Sequence, residues 1–131
     1  MKEPVFLIKD QVLQLHKKAL QDYGGSPGVR DNGLLESAIA QPESSFGGAY
    51  LHETIFLMAA AYFFHISQNQ PFIDGNKRAG FLSTFAFLKI NGYNLNATND
   101  ETSPFLIEVA EGRKKKEDLA NFIEQHSTNI A

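Results

Sequence analysis

Residues 70 to 78 read Gln70-Pro71-Phe72-Ile73-Asp74-Gly75-Asn76-Lys77-Arg78, and they combine the residue types that hold an anion. The stretch lies between two apolar segments with helical spacing, so it reads as a loop that opens a helix. The first N–H groups of a helix have no partner inside it, and the dipole adds partial positive charge at that end. Lys77 and Arg78 add two full charges at the same place. Such an end suits a phosphate. Taken alone, Asp-Gly-Asn-Lys-Arg is more often a polar turn between helices than a phosphate site, so the surrounding elements have to decide.

Those elements are helices. Residues 10 to 23 form the first, with Asp10 as its cap and Val12, Leu15, Ala19 and Tyr23 near one face; His16, Lys17 and Lys18 fall mostly elsewhere. Gly24-Gly25 stops it, and Ser26-Pro27-Gly28 is a loop. A short helix over residues 32 to 40 is capped by Asp31 and ended by Pro42. Residues 43 to 51 carry two glycines and no period, and are expected to be an ordered loop or short flap. Residues 53 to 69 are apolar on every side, the mark of a central helix. A second core helix spans residues 76 to 91. Two more are expected over residues 101 to 111 and 116 to 126, on either side of Gly112. Strand candidates are short, at residues 5 to 8 and 93 to 95. The expectation is an all-α, single-domain bundle of about six helices over residues 1–131, with the anion loop joining its two most buried helices.

Bulk composition narrows the function. A net charge of −3 argues against non-specific attraction to nucleic acid. The absence of cysteine excludes disulfides and thiolate chemistry and fits a reducing cytosol. The N-terminus lacks the apolar run of a signal peptide, and the longest apolar region, residues 54 to 64, is too short to span a bilayer. A cytoplasmic location without membrane contact is the expectation. Lys114, Lys115 and Lys116 read as a solvated connection, and His16, His52, His65 and His126 show no metal-ligand spacing.

The stretch at 70 to 78 resembles the signature of the Fic/Doc family, roughly His-x-Phe-x-Asp/Glu-Gly-Asn-Gly/Lys-Arg at the start of a helix, and specifically its Doc-like (death-on-curing) branch. Phe72, Asp74, Gly75, Asn76, Lys77 and Arg78 match, and Pro71 is also common there. Tyr23-Gly24-Gly25-Ser26-Pro27-Gly28, Leu34-Leu35-Glu36-Ser37-Ala38, Ser45-Phe46-Gly47-Gly48 and Asn91-Gly92-Tyr93 look like Doc-like sequences at their usual positions. The resemblance implies transfer of part of a nucleotide to a hydroxyl of a protein. Most Fic enzymes transfer AMP, whereas Doc-like toxins are kinases whose best-known target is a threonine of translation elongation factor Tu. Lys77 bears on this choice. AMP-transferring relatives usually carry glycine there, and a lysine fills that space and favours a reversed nucleotide that presents its γ-phosphoryl group.

On this reading ATP is the cosubstrate and Mg²⁺ the metal. Gly75 lets the backbone approach the phosphates, and Asn76, Lys77 and Arg78 hold their oxygens, Arg78 bidentately. Asp74 is the Mg²⁺ ligand, since that ion takes hard oxygens and shares them with phosphates. Phe72 points into the core and anchors the loop. Ser45, Phe46, Gly47 and Gly48 correspond to a flap that aligns the target segment.

One position departs from the signature. The family's general-base histidine falls at Gln70, whose amide accepts no proton near neutral pH. The chain as written is therefore expected to be slow or inactive. His65, five residues earlier on the preceding helix, faces another side and reads as a packed helix histidine. Three functional readings follow: a Doc-like toxin kinase, a catalytically silent Fic-fold binding module, and a Fic-type AMP transferase. The inhibitory motif Ser/Thr-x-x-x-Glu-Gly/Asn of many Fic enzymes has no match, because the only candidate pair, Glu111-Gly112, has Ile107 four residues before it. Restraint would come from a partner, a small antitoxin inserting a helix beside the site.

Overall fold

The two central helices set the architecture of the computed structural model, which describes residues 3–130. Here α3 (Ile55–Asn69) begins where Thr54 Oγ1 accepts from the Leu57 N–H at 3.0 Å. It buries Ile55, Met58, three alanines, Tyr62, Phe63 and Ile66, so its apolar surround is the core itself. Against it lies α4 (Asn76–Ile90), which buries Ala79, Gly80, Phe87 and Leu88. The two approach closely at Gly80, where a Cβ would stand 3.2 Å from the Phe63 Cα and 3.3 Å from its carbonyl oxygen. One turn further, Thr84 Oγ1 donates to the Ala59 carbonyl at 2.7 Å. These contacts fix both ends of the loop that joins the helices.

The other helices surround this pair: α1 (Lys9–Tyr23), α2 (Asn32–Ala40), α5 (Asn99–Ala110) and α6 (Lys116–Gln125). Among the described residues the chain forms the expected all-α bundle, with six helices. Asp31 caps α2 by accepting from the Leu34 N–H at 3.0 Å. Thr98 and Glu101 form a capping box at α5. Asp10 does not cap α1. The helix starts after Ile8, whose N–H donates to Gln11 Oε1 at 2.9 Å, and Asp10 sits in the first turn, where its charge favours the dipole. His16 is also not off the apolar face; it is buried with Val12 and Ala19. No helix among the described residues is long and apolar enough to cross a membrane.

Two small antiparallel pairs complete the fold. The expected flap is a hairpin, β1 (Ser45–Phe46) with β2 (Ala49–Tyr50), in the register Ser45↔Tyr50 and Phe46↔Ala49. Gly47 and Gly48 both have positive φ (60° and 83°), which a two-residue hairpin turn of this hand requires. The extended segment after α4 is β3 (Tyr93–Leu95), paired with β4 (Ser127–Asn129) at the C-terminal end. Residues 5 to 8 are not a strand. Their N–H groups donate to side chains instead: Val5 N–H to Asn91 Oδ1 at 2.8 Å, and Leu7 N–H to the Tyr62 hydroxyl at 2.9 Å.

Candidate functional site

The motif loop leaves α3 through an unusual residue. Gln70 caps the helix with φ 47° and ψ 56°, the only non-glycine residue with positive φ among those described. Its N–H donates to the Ile66 carbonyl at 3.1 Å. Arg30 closes the same helix end: Nε donates to the Gln70 carbonyl at 2.7 Å, and an Nη atom to the Asn69 carbonyl at 2.9 Å. A cation at a helix C-terminus also complements the dipole. Residues 28 to 31 lie along the loop as a strip of backbone. Arg30 and Asp31 N–H groups donate to the Pro71 carbonyl, Val29 bridges Phe72, and the Ile73 N–H donates to the Gly28 carbonyl. A left-handed cap favours glycine, so Gln70→Gly is expected to raise stability by up to about 1 kcal/mol. Urea midpoints of the two proteins check this; a loss of stability would mean that the Gln70 side chain carries a contact worth more than the backbone strain.

The loop is braced from below. Phe72 is 1% exposed and stacks on His16, with ring centroids 3.7 Å apart and planes 6° from parallel. His16 Nε2–H donates to the Asp74 carbonyl at 2.8 Å. The Asn76 side chain grips Phe72 twice, Oδ1 accepting from its N–H at 2.9 Å and Nδ2 donating to its carbonyl at 3.0 Å. The Asn76 side-chain amide is thus engaged within the loop, which leaves its backbone N–H as the group available to a ligand. Gly75 has φ 76°, and a Cβ there would face Leu20 and His16 at 3.5 and 3.6 Å. Its glycine is required by the backbone conformation, on the side turned toward α1.

Asp74 is exposed, and each carboxylate oxygen accepts one backbone N–H: Oδ1 from Gly75 at 2.8 Å and Oδ2 from Ser26 at 3.1 Å. A carboxylate has about four acceptor positions, so both oxygens keep capacity for a cation. Gly25 follows from the same contact, since a Cβ at its φ of 124° would stand 2.9 Å from Asp74 Oδ2. Lys77 is exposed and makes no hydrogen bond or ion pair among the described residues. The Arg78 guanidinium lies 4.2 Å over the Tyr23 ring, which orients it, and it makes no hydrogen bond or ion pair among the described residues. The N–H groups of Asn76, Lys77 and Arg78, in the first turn of α4, make no hydrogen bond among the described residues. Gln70, Phe72, Asp74, Gly75, Asn76, Lys77 and Arg78 are therefore brought together on one loop and helix start. Ser45, Phe46, Gly47 and Gly48 belong to the hairpin, where Phe46 is 82% exposed. Tyr23, Ser26, Arg30 and His16 were not singled out by their residue types. The signal that could have found the first two is the glycine-rich run that follows α1.

His65 is engaged elsewhere. Lys116 Nζ donates to His65 Nε2 at 3.0 Å and to His52 Nε2 at 2.9 Å. Lys116 is thus half-buried between two imidazoles, unlike the solvated connection expected of residues 114 to 116. Burial first, then the Lys116 charge and His52, push His65 down to about 4; burial and Lys116 also lower His52. A histidine with a depressed folded pKa binds fewer protons than its unfolded form between pH 6.5 and 4. Stability is then full above about pH 6.5 and falls as pH drops toward 4. Thermal midpoints from pH 7 to 4 should show this loss, and His65→Gln should flatten it.

Comparison with known proteins gives the family. The sequence profile of the Fic/DOC family matches residues 6–88, from before α1 almost to the end of α4. The chain is 37% identical over 78 residues to Toxin Doc of Mycolicibacterium smegmatis, covering 60% of each chain. It is 32% identical over 84 residues to Protein kinase doc of Escherichia phage P1, covering 63% of this chain and 65% of that one. The matched stretch is thus under two thirds of either relative's length. Because the profile spans the flap, both central helices and the whole motif loop, this chain belongs to the Fic/DOC family.

Proposed function

We propose that this chain is a Doc-like toxin of a toxin–antitoxin pair. On this reading it phosphorylates a hydroxyl of a protein target in translation, such as a threonine of elongation factor Tu, with ATP as cosubstrate. The observation that carries the reading is the start of α4, where unpaired N–H groups, Lys77 and Arg78 stand beside the exposed Asp74 carboxylate. Lys77 favours presentation of the γ-phosphoryl group over AMP transfer, and one relative is named Protein kinase doc.

The donor set fits Mg²⁺. Asp74 offers an exposed carboxylate with free acceptor positions next to the place where phosphates would rest. Bound there, the ion would neutralise phosphate charge and help align the transferring group. The protein's own part is positioning. Arg78, steadied on Tyr23, takes two phosphate oxygens, Lys77 adds a mobile charge, and the α4 amides hold the rest. The exposed β1–β2 hairpin aligns the target segment. Gln70 orients a target hydroxyl by hydrogen bonding without removing its proton, so turnover is slow. A small antitoxin provides restraint by laying a helix beside the site.

Gln70 also supports a second reading, a silent module that binds nucleotide or partner without transfer. Transfer of label from α- or γ-labelled ATP to elongation factor Tu, with Mg²⁺, separates the readings when run on this chain and on Gln70→His. Movement of γ-label is the expected result. Movement of α-label would make the protein an AMP transferase. Nucleotide binding with no transfer by either protein would favour the silent module.

A further inference from the structure

Helix α1 sends one imidazole under the motif loop. His16 is 5% exposed and lies flat on Phe72, with the ring planes 6° from parallel. Its Nε2 stands 2.8 Å from the Asp74 carbonyl oxygen. A carbonyl only accepts, so Nε2 carries a proton and donates it. The Phe72 ring sets the plane of the imidazole and with it the direction of this N–H.

What the bond holds is a single peptide plane. The peptide between Asp74 and Gly75 is trans, so its C=O and N–H point in opposite directions. With the carbonyl turned to His16, the Gly75 N–H is turned away from it and donates to Asp74 Oδ1 at 2.8 Å. The other carboxylate oxygen accepts from the Ser26 N–H at 3.1 Å. The neighbouring main chain is held separately: the Ile73 N–H donates to the Gly28 carbonyl, and the Gly75 carbonyl accepts from the Ala79 N–H. Among the described residues, His16 is the only partner of the Asp74–Gly75 plane from outside the loop. Glycine admits both signs of φ, so rotation of this plane is open at Gly75. Such a rotation would carry the N–H toward α1 and leave Oδ1 without its donor.

We propose, on the reading of Asp74 as a Mg²⁺ ligand, that His16 is a positioning residue: by holding the Asp74–Gly75 peptide plane it aims the Asp74 carboxylate. It acts through that peptide and not on the nucleotide. Its two contacts have separate roles, the ring as packing under Phe72 and the Nε2–H as the pin.

Two substitutions in the full chain separate these contacts. His16→Phe keeps an aromatic ring against Phe72 and removes the donor. His16→Gln removes the ring and keeps an amide N–H at similar reach. Amide hydrogen exchange at Gly75 is followed by NMR, and ATP affinity is measured by calorimetry with Mg²⁺ and with EDTA. In His16→Phe, Gly75 is expected to exchange about tenfold faster, and the gain in ATP affinity that Mg²⁺ brings should fall about tenfold. That factor is the equilibrium effect of a hydrogen bond at the upper end of the usual net range. His16→Gln should stay close to the parent in both, although it loses the stacked ring. If His16→Phe does not fold, His16→Met takes its place, since methionine matches glutamine in length and has no donor. Exchange at Gly75 that is unchanged without the donor, or that rises equally in His16→Gln, would overturn the proposal and leave His16 a core residue. If Mg²⁺ adds nothing to the ATP affinity of the parent, the ligand assignment of Asp74 falls, and exchange at Gly75 alone decides for or against His16.

Discussion

Gln70→His is expected to raise γ-phosphoryl transfer by about 10²–10⁴-fold, the range that general-base assistance supplies. Three features of the site favour so large a gain from one side chain. The residue is exposed and its side chain makes no hydrogen bond among the described residues, so an imidazole enters without displacing a contact. Its backbone is left-handed (φ 47°), a region where histidine is several-fold enriched over most other non-glycine residues. Its carbonyl is already held by Arg30 at 2.7 Å, so the base would stand on a fixed Cα. An imidazole works as a base only when neutral, so the variant's rate should climb through about pH 6.5 and level off above it. Gln70→Asn serves as the control, because it changes size without offering a basic nitrogen. Initial rates of label transfer across pH check the expectation. A histidine variant that binds ATP yet transfers no faster than the parent would show that Gln70 is not in the path of the proton.

The parts of this fold that could be read from residue types are those governed by local pattern. The apolar surround of α3, the spacing in α4 and the Gly47-Gly48 turn each announce an element from within a dozen residues. The rest depends on contacts between distant segments. His16 stands four residues after Val12 and three before Ala19, which places it on the buried stripe; counting it as polar hid this, and only the Phe72 ring explains its burial. Asn76 reads as a phosphate donor because its amide can donate, but the same group can also accept, and the Phe72 backbone offers both partners four residues away. The strip at residues 28 to 31 joins the loop through main-chain groups, which leave no trace in residue identity. Strand β4 is short and polar, so no alternation marks it, and it forms because β3 presents an edge. Lys116 sits in a run of three lysines, and nothing local separates the one that turns inward.

Phe72→Ala is expected to cost about 3–5 kcal/mol of stability, the usual range for truncating a buried phenylalanine. That is a large share of the roughly 5–15 kcal/mol available to a domain. The effect should also reach the site, because Phe72 joins the core to the loop. Its ring carries the His16 stack, and His16 in turn holds the Asp74 carbonyl at 2.8 Å. Its backbone is gripped by Asn76 and bridged to Val29, so the loop keeps its main-chain bonds after truncation but loses the anchor beneath them. Asp74 and the start of α4 would then sample a wider range of positions, and nucleotide affinity should fall more than in a core variant of equal cost remote from the loop. Leu119→Ala on α6 provides that comparison, since Leu119 is also 1% exposed. Urea unfolding measures the stability term. Hydrogen exchange at residues 73 to 78 and ATP affinity of the folded fraction measure the coupling. A loss below about 1 kcal/mol would place Phe72 outside the set of well-packed aromatic side chains. Equal affinity losses in the two variants would mean that the loop is set by its hydrogen bonds alone, and that the stacked rings beneath it support the core without shaping the site.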